Sequence, residues 1–232
     1  MAYRPLKNAP VVWCDIETTG LDPVTAEIIE FAGIRFEDGK EVNRLELKIK
    51  PRFIKDPPME FKDVYRNFDA KVWAKNVQHA LKINGYTPEA WEAAGAVTYD
   101  EGIPIIAKFL KGATAVGGHN VSFDAAFIDY AVTDLAPVLD DDGKIISLPY
   151  HKIDTVALAY EHLVPLGLNK VSLSKPGGLC TFLNIPTDNA HTAMADIEMT
   201  IQAWNQMKRA GWMKRLWWRF IGPRRVARAK FA

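Results

Sequence analysis

Residues 11–20 read VVWCDIETTG, an apolar run of strand-forming residues that ends in two acids and then breaks at Thr-Thr-Gly. Such a run predicts a central strand that is buried in its sheet. Because side chains alternate along a strand, Asp15 and Glu17 lie on the same face. Two carboxylates this close repel each other unless a cation lies between them. The segment therefore predicts either an acidic strand end open to solvent or half of a metal site.

The segments that follow predict a mixed α/β sheet. Residues 27–51 read as two strands joined by a hairpin at Asp38-Gly39. Residues 51–68, with three prolines and mixed charge, predict a long surface loop. Strands that come first and then alternate with helices favour a mixed sheet with helices packed on it. The helical patterns lie at roughly 69–82, 88–94 and 99–111, in GHNVSFDAAFIDYAV after a short strand, after Asp154 in KIDTVALAYEHL, in part of VSLSKPGGLCTFLNI, and in a strong closing helix, AHTAMADIEMTIQAWNQM.

Composition indicates an ordinary soluble protein. The 232 residues, 48% of them hydrophobic and 25% charged, are enough to bury one sizeable core. The sequence has no run of eighteen apolar residues and no secretion signal in MAYRPLKNAP, which predicts a cytoplasmic protein without a membrane span. Its two cysteines, Cys14 and Cys180, lack metal-ligand spacing and are predicted to be reduced thiols in the core.

The net charge of +1 conceals a strong asymmetry. From Lys208 to the end the chain has nine Lys or Arg residues and no acid. The rest of the chain keeps 20 of the 29 basic residues and all 28 acidic ones, a net charge of −8. Such a division usually marks a functional segment attached to a folded body. We therefore predict a folded domain over residues 1–207 and a basic aromatic tail over 208–232.

Three more residues bear on the acidic strand end. Asp124, in GHNVSFD, falls in the first turn of a predicted helix, where the helix dipole favours an acid in any protein. His191 and Asp196, in HTAMAD, would point about 140° apart within one helix. They converge only if His191 precedes the helix, with Asn189 as its cap. Asp196 lies in an apolar stretch, where a carboxylate needs a partner.

Three motifs, in their order along the chain, carry a family resemblance. D-x-E-T-T-G, G-H-N-x-x-F-D and H-x-x-x-x-D resemble the exonuclease motifs of the DEDD superfamily, and the histidine resembles its DEDDh (DnaQ-like) branch. That branch includes proofreading subunits of replicative polymerases, three-prime repair exonucleases, oligoribonuclease and RNase T. The resemblance covers roughly residues 10–205. It implies a ribonuclease-H-like α/β fold, with a five-stranded mixed sheet flanked by helices, and removal of nucleotides from a 3′ end.

The resemblance also implies a set of catalytic residues. Asp15, Glu17, Asp124 and Asp196 would hold two Mg²⁺ ions, for which Mn²⁺ could substitute, because hard cations prefer carboxylate oxygens. Asp15 would bridge both ions, Glu17 and Asp196 would help to hold the ion that activates water, and Asp124 would act largely through coordinated waters. His191 would be the general base, with an ordinary pKa of about 6.5 near the working pH.

A second implied set contacts the substrate. These residues are Thr18, Thr19, Gly20, Leu21, Asn84, Tyr86 and Asn120. Leu21 would wedge against the terminal base, and Tyr86, after Asn84 and Gly85, would stack on it; an ordinary hydrophobic contact is the alternative for Tyr86. Asn120 would orient the loop that carries Asp124. Asp154 is predicted to cap a helix rather than to bind metal.

The resulting hypothesis is a 3′–5′ exonuclease that releases nucleoside monophosphates from DNA with single-stranded or frayed 3′ ends. An RNA exonuclease of the RNase T or oligoribonuclease type would share every catalytic residue. A proofreading subunit docked on a polymerase, or on another replication protein through its tail, is a further alternative. A non-catalytic binding module is disfavoured, because it would have no chemical reason to keep the complete set of catalytic acids and the histidine.

The tail, GWMKRLWWRFIGPRRVARAKFA, is not required by exonuclease chemistry. Read as a helix, it has one apolar side made of Trp212, Leu216, Trp217, Phe220 and Ile221. Gly222-Pro223 would end this helix and leave a flexible basic end. Basic residues mixed with tryptophan favour nucleic acid as the ligand of the tail. The alternatives are a groove on a partner protein and an anionic membrane surface, and we expect the membrane least.

Overall fold

The computed structural model describes residues 9–59, 61, 65, 68–135, 137–188 and 192–229. Within these ranges, five strands form a single mixed sheet in the order β3-β2-β1-β4-β5. They are β1 (Val11–Thr18), β2 (Ile28–Glu37), β3 (Lys40–Lys48), β4 (Ala115–Gly118) and β5 (His151–Asp154). The first three strands pair antiparallel, whereas β4 is parallel to β1 and to β5. The predicted α/β fold with a five-stranded mixed sheet is confirmed.

The helices lie close to their predicted positions. They are α1 (Ala70–Ile83), α2 (Pro88–Ala93), α3 (Tyr99–Leu110), α4 (Val121–Asp129), α5 (Thr155–His162), α6 (Leu179–Leu183), α7 (Ala193–Lys208) and α8 (Trp212–Arg228). A π-helical segment, Tyr130–Leu135, continues α4, and a 3₁₀ turn, Val164–Leu166, follows α5. No helix in the described ranges has the length and apolar character needed to cross a lipid bilayer.

The turn between β2 and β3 confirms the hairpin prediction. Asp38 and Gly39 both have positive φ, at 52° and 75°. Two consecutive residues in this conformation form the turn whose twist matches that of the flanking antiparallel strands. The hairpin fixes the pairing of β2 with β3, which matters below because it sets Glu30 opposite Lys48.

Strand β1 is covered on both faces, as its apolar sequence predicts. Val12, Cys14 and Ile16 belong to the core that β1 shares with α3 and α4. On the opposite face, Trp13 packs with Ile34 of β2 and Ile197 of α7. Because alternate residues share a face, Asp15 and Glu17 point to the same side as Trp13, towards α7. The pleat of one strand therefore directs both carboxylates at the helix that carries the next acid.

Both cysteines are buried and free, in agreement with the prediction of reduced core thiols. Burial, followed by the charges of Asp124 and Asp15, raises the pKa of the Cys14 thiol well above its usual value. Burial is also the main reason that the pKa of Cys180 is raised to about 12. Neither thiol is therefore ionised at neutral pH, and both act as small apolar side chains.

The end of the chain differs from the prediction. Instead of stopping at Gly222-Pro223, α8 continues to Arg228. It packs on α6 and on the 3₁₀ turn, and it buries Trp218 and Val226. The glycine at 222 permits this close approach, since a β-carbon there would overlap the ring of Phe182. A proline inside a helix loses one backbone hydrogen bond, and packing against the body stabilises the helix despite that loss.

Candidate active site

Three carboxylates meet where β1 ends and α7 begins. One oxygen from each of Asp15, Glu17 and Asp196 lies within 4.8 Å of the others. Asp196 is in the first turn of α7, which Thr192 caps by accepting a hydrogen bond at Oγ1 from the Ala195 N–H, 3.3 Å away. The strand pleat and the helix start thus bring together acids that lie about 180 residues apart in the sequence.

Asp124 supplies the fourth acid from the neighbouring junction. It lies in the first turn of α4 and is only 3% exposed. Its Oδ1 accepts a hydrogen bond from the backbone N–H of Ile16, at 3.0 Å, between Asp15 and Glu17. This bond attaches the start of α4 to the end of β1. It also holds the carboxylate of Asp124 beside the three that meet at α7.

The pKa values of these acids report their crowding. Burial, followed by the charges of Asp124, Asp196 and other nearby acids, raises the pKa of Asp15 well above its usual value. The pKa of Glu17 is raised to about 7, chiefly by burial and then by the charges of Glu30 and Asp196. Burial is also the main cause that raises the pKa of Asp124. Asp15, Glu17 and Asp124 therefore resist ionisation until a cation lies between the acids.

The chemistry of this cluster fits divalent cations. All of its donors are carboxylate oxygens, the ligands that Mg²⁺, Mn²⁺ and Ca²⁺ prefer, and the cluster contains no thiol or imidazole among the described residues. A cation between the acids would offset the repulsion that raises their pKa values. The sequence also allowed Asp15 and Glu17 to form an acidic strand end open to solvent. The partly buried cluster does not agree with that alternative.

The sequence analysis missed Glu30, a fifth acid beside the cluster. It lies opposite Glu17 on β2 and is 1% exposed. Its carboxylate forms an ion pair with Lys48 and accepts a hydrogen bond from the Ala193 N–H at 3.3 Å. Glu30 thereby links the hairpin to the first residue of α7. The signal was available, because an acid in the apolar run EIIEFAGI needs a partner as much as Asp196 does.

A cavity of about 550 Å³ opens beside the carboxylates. Glu17 and the loop after β1 form one wall, and α1 forms the other. Of the residues predicted to contact substrate, this cavity is lined by Thr18, Thr19, Gly20, Leu21 and Asn84. Asn76 and His79 of α1 and Phe123 of α4, which the sequence analysis did not single out, also line it. A mostly apolar cavity with a few fixed polar groups is typical of a small-ligand site.

Hydrogen bonds hold the loop after β1 in place. Asn84 donates from Nδ2 to the carbonyl of Thr18 at 2.9 Å, and Thr18 Oγ1 donates to the carbonyl of Gly20 at 2.6 Å. Thr19 Oγ1 accepts from the Glu27 N–H at 2.9 Å. Leu21, by contrast, is 87% exposed. The loop is therefore rigid, with a large apolar side chain free at its tip.

Tyr86 does not lie in this cavity. Its ring packs against Trp91, with the centroids 5.0 Å apart, and it lines a separate groove together with Arg52 and Lys82. The reason is the turn after α1, where Gly85 has a positive φ of 66° and the Tyr86 N–H donates to the Leu81 carbonyl. This turn directs Tyr86 towards α2. The hydrophobic contact considered as an alternative is the one observed.

Asn120 and Asp154 form a second junction. Asn120 is at the N-cap position of α4 with a φ of 63°, but its side chain makes no capping hydrogen bond. Its backbone N–H donates to Asp154 Oδ1 at 3.1 Å, and the same oxygen accepts from the Val156 N–H at 2.8 Å. Asp154 is therefore the helix cap that the sequence predicts, and it also holds the turn that leads to Asp124.

The predicted base His191 and the predicted cap Asn189 lie outside the described residues. The described part of the chain shows that α7 begins at Ala193 and is capped by Thr192. Thr192, and not the predicted Asn189, is therefore the cap of this helix.

Comparisons with known proteins assign the chain to a family. Residues 12–204 match the sequence model of a family described as exonuclease. The DNA polymerase III PolC-type protein of Thermotoga petrophila is 28% identical over 211 residues, which cover 88% of this chain and 12% of that protein. The PolC-type protein of Bacillus subtilis is 25% identical over 201 residues, which cover 86% and 11%. The chain thus spans only about a tenth of the length of these relatives.

Solved structures show the same fold. E. coli exonuclease I in complex with a dT13 oligonucleotide has a TM-score of 0.58 and 21% identity, with 87% of this chain and 41% of that chain covered. Exonuclease I of Methylocaldum szegediense also has a TM-score of 0.58, with 23% identity and coverage of 96% and 44%. At these identities the likeness concerns the fold alone. The family match covers most of the chain and includes Asp15, Glu17, Asp124 and Asp196, and the chain belongs to the exonuclease family, among the DEDD 3′–5′ exonucleases.

Proposed function

We propose that this protein is a metal-dependent 3′–5′ exonuclease that releases nucleoside monophosphates from DNA. The observation that carries the proposal is the arrangement of the cavity and the acids. Oxygens of Asp15, Glu17 and Asp196 lie within 4.8 Å of one another, and Glu17 also lines the cavity beside them. A nucleotide held in this cavity would have its phosphate at the acids. The family match ends at residue 204, and α8, which follows it, packs on the same body.

The terminal nucleotide would occupy the cavity between the loop after β1 and α1. Thr18, Thr19 and Gly20 offer backbone groups, and the hydrogen bond from Asn84 fixes them before the substrate arrives. The exposed side chain of Leu21 could contact the terminal base and separate it from the next one. Such preorganisation limits the entropy lost on binding.

Asp15, Glu17 and Asp196 would hold the divalent ions directly, and Asp124, fixed by the Ile16 N–H, would hold them through water. Bound Mg²⁺ ions supply Lewis-acid chemistry, which lowers the barrier to an in-line displacement at phosphorus. Glu30 would keep the first turn of α7, and therefore Asp196, in position through its hydrogen bond with Ala193. Mn²⁺ should substitute, since it prefers the same oxygen donors.

His191 would accept a proton from the attacking water. The new bond forms between the water oxygen and the scissile phosphorus, and the bond from phosphorus to the 3′ oxygen of the preceding nucleotide breaks. That 3′ oxygen takes up a proton from solvent as it leaves, and His191 releases the proton it accepted to solvent. The products are a nucleoside 5′-monophosphate and a strand that is one nucleotide shorter with a new 3′ hydroxyl. A histidine is suited to this transfer because its pKa lies near neutral pH.

DNA is favoured as the substrate by the comparisons. The curated relatives are named as DNA polymerases, and one solved structure with this fold holds an oligodeoxynucleotide. The relatives also carry the matched region in the same chain as a polymerase, which supports a polymerase as a partner of this protein. An RNA exonuclease would need contacts to the 2′ hydroxyl in the cavity.

Degradation of end-labelled single-stranded DNA, duplex DNA and RNA, side by side with Mg²⁺, tests the proposed substrate. We expect single-stranded DNA to be degraded fastest and RNA at least tenfold more slowly. RNA degraded at the same rate or faster would assign the protein to RNA turnover. No cleavage of any of the three would contradict the proposal itself.

A further inference from the structure

One face of α8 is fixed on the body of the protein. Trp218 is fully buried and Val226 is 2% exposed, both in the cluster that includes residues of α6 and α7. Gly222, between them on the same face, lies against the ring of Phe182. The helix is therefore held in one orientation, and its outward side chains have defined positions.

The opposite face of α8 carries a second apolar stripe, which we call the outer stripe. It consists of Met213, Leu216, Trp217 and Phe220, with exposures of 68%, 49%, 48% and 59%. Their spacing of i, i+3, i+4 and i+7 places them on one side of a helix. Single exposed apolar residues are common, but a contiguous group of four large ones is typical of a binding surface.

Cations accompany this stripe. Lys214, Arg215, Arg219 and Arg224 are exposed on the same helix, and the chain has no acid after Lys208. The guanidinium of Arg225 lies over the ring of Trp217, 4.7 Å from its centroid. Paired arginine and aromatic groups bind phosphates and bases in single-stranded nucleic acids. The ligand of this surface must therefore be anionic and must offer flat or apolar groups.

We propose that the outer stripe and three arginines of the same helix, Arg215, Arg219 and Arg224, form a secondary site for single-stranded nucleic acid, which holds the strand on the 5′ side of the nucleotide being removed. Lys214 is turned towards the body instead, with its Nζ 5.2 Å from the centroid of the Trp218 ring. The inference of a secondary site rests on the proposed function, and it identifies the part of the protein that attracts the substrate. The body has a net charge of −8 and repels a polyanion, whereas the tail alone supplies nine cations. A strand can contact the tail without covering the acidic body.

The positive charge of α8 and the negative charge of the body disfavour two other ligands of this surface, a second copy of the chain and a membrane. Two copies of α8 packed stripe to stripe would bring their cations together, which costs free energy. A flat anionic membrane would meet the acidic body next to the helix as well as the tail. A nucleic-acid strand is narrow enough to avoid both repulsions.

The length of α7 separates the start of the basic segment from the acids. Asp196 and Lys208 are twelve residues apart on that helix, a distance of about 18 Å at 1.5 Å per residue. A stacked strand advances about 3.4 Å per nucleotide, so about five or more nucleotides are needed to span it. A trinucleotide, at about 10 Å, would occupy the catalytic cavity without reaching Lys208 at the end of α7.

The test uses substitutions on the surface of the full chain. Truncation before α8 would remove Trp218 and Val226 from the core, so it would test folding as much as binding. One variant combines R215S, R219S and R224S, and a second combines W217S and F220S. A matched control, K40S, K108S and K144S, removes three exposed cations from the acidic body. Binding of a labelled 20-nucleotide single strand is measured in EDTA, where no cleavage occurs, at several salt concentrations.

We expect both α8 variants to bind the 20-nucleotide strand at least tenfold more weakly than wild type. For the arginine variant, the slope of log affinity against log salt concentration should also be smaller in magnitude by about two, since each cation contributes about 0.7 to this slope for single strands. The control should bind as wild type does. With Mg²⁺, the variants should raise KM for the 20-nucleotide strand, while kcat at saturation and KM for a trinucleotide stay unchanged.

Unchanged affinity and salt slope in both variants would overturn the proposal. Binding of the wild type to phosphatidylglycerol vesicles, lost in the variants while strand binding stays intact, would assign the surface to a membrane. A wild-type dimer that the variants abolish, again with strand binding intact, would assign it to a second copy of the chain. If the wild type binds the strand but cleaves no nucleic acid, the proposed function fails independently of this site.

Discussion

Asp15, Glu17, Asp124 and Asp196 are individually unremarkable residues, and their meaning comes from being close together. Each could end a strand or begin a helix in any protein. Together, burial and the charges of neighbouring acids raise the pKa values of Asp15, Glu17 and Asp124, and the cluster therefore favours a bound cation. The sequence predicts all four through the three motifs in their order along the chain, since no single acid would identify the site.

The charge of Glu17 should make the metal-free protein less stable at higher pH. A pKa raised from 4.5 to about 7 means that the folded state binds this proton more tightly than the unfolded state does. The free energy of unfolding is then highest below pH 4.5 and decreases as the pH rises towards 7, by up to about 3 kcal/mol. Urea unfolding in EDTA at pH 5 and pH 8 should show this decrease for the wild type, and a smaller one for Glu17→Gln. A wild type that is more stable at pH 8 in EDTA would contradict the pKa assignment.

His191 should contribute to turnover and little to binding. His191→Ala should lower kcat by roughly 10²–10⁴-fold, the usual contribution of a positioned general base. The rise of the rate around neutral pH should disappear with it. Single-turnover rates between pH 5.5 and 9, with strand affinity measured in parallel, check this expectation. An unchanged pH profile would assign His191 to structure instead.

Glu30 should act by positioning α7. Glu30→Ala removes the acceptor of the Ala193 N–H and leaves Lys48 without its buried partner. Mn²⁺ affinity should fall by roughly 10–100-fold, as is usual for residues that orient metal ligands. Glu30→Gln keeps an acceptor for Ala193 and should lose less affinity. Equal loss in the two variants, measured by Mn²⁺ titration, would mean that the charge of Glu30 matters and its hydrogen bond does not.

At the scale of elements, the strands and helices follow from the sequence more completely than their ends and faces do. The buried run of β1, the Asp38-Gly39 turn and the period of α1 to α3 each have a strong local signal. The positions of Tyr86 and α8 in the structure differ from the predicted ones. The direction of the turn before Tyr86, and the choice of which apolar face of α8 is buried, both depend on residues that are distant in the sequence. Tyr86 packs against Trp91, and the close contact of Gly222 with Phe182 determines which face of α8 is buried. No periodicity in the sequence contains that information.

The docking of α8 predicts unequal effects for its aromatic residues. Trp218→Ala removes a fully buried side chain and should lower the free energy of unfolding by about 3–5 kcal/mol. Phe220→Ala removes a ring that is 59% exposed and should change it by less than about 1 kcal/mol. Urea unfolding of the two variants at one pH compares them directly. Equal and small effects would mean that α8 does not stabilise the body.

At the scale of the whole molecule, negative and positive charges are concentrated in different regions of the chain. An acidic body concentrates carboxylates around the end of β1, where divalent cations offset their repulsion. A basic helix, attached at the far end of α7, offers the positive surface that the body lacks. We propose that the carboxylates at the end of β1 remove nucleotides from a 3′ end with the help of a divalent cation.

The most direct test of that claim follows label release from one single-stranded DNA, labelled in one sample at its 3′-terminal nucleotide and in the other at its 5′ end. With Mg²⁺, the 3′ label should leave at once as mononucleotide, while the 5′-labelled strand shortens one nucleotide at a time. EDTA should stop both processes. Asp15→Asn should reduce the rate by at least 10³-fold, whereas Asp141→Asn, which neutralises an exposed acid, should not. Release of the 5′ label first, internal cleavage, activity in EDTA or activity of Asp15→Asn would contradict the claim.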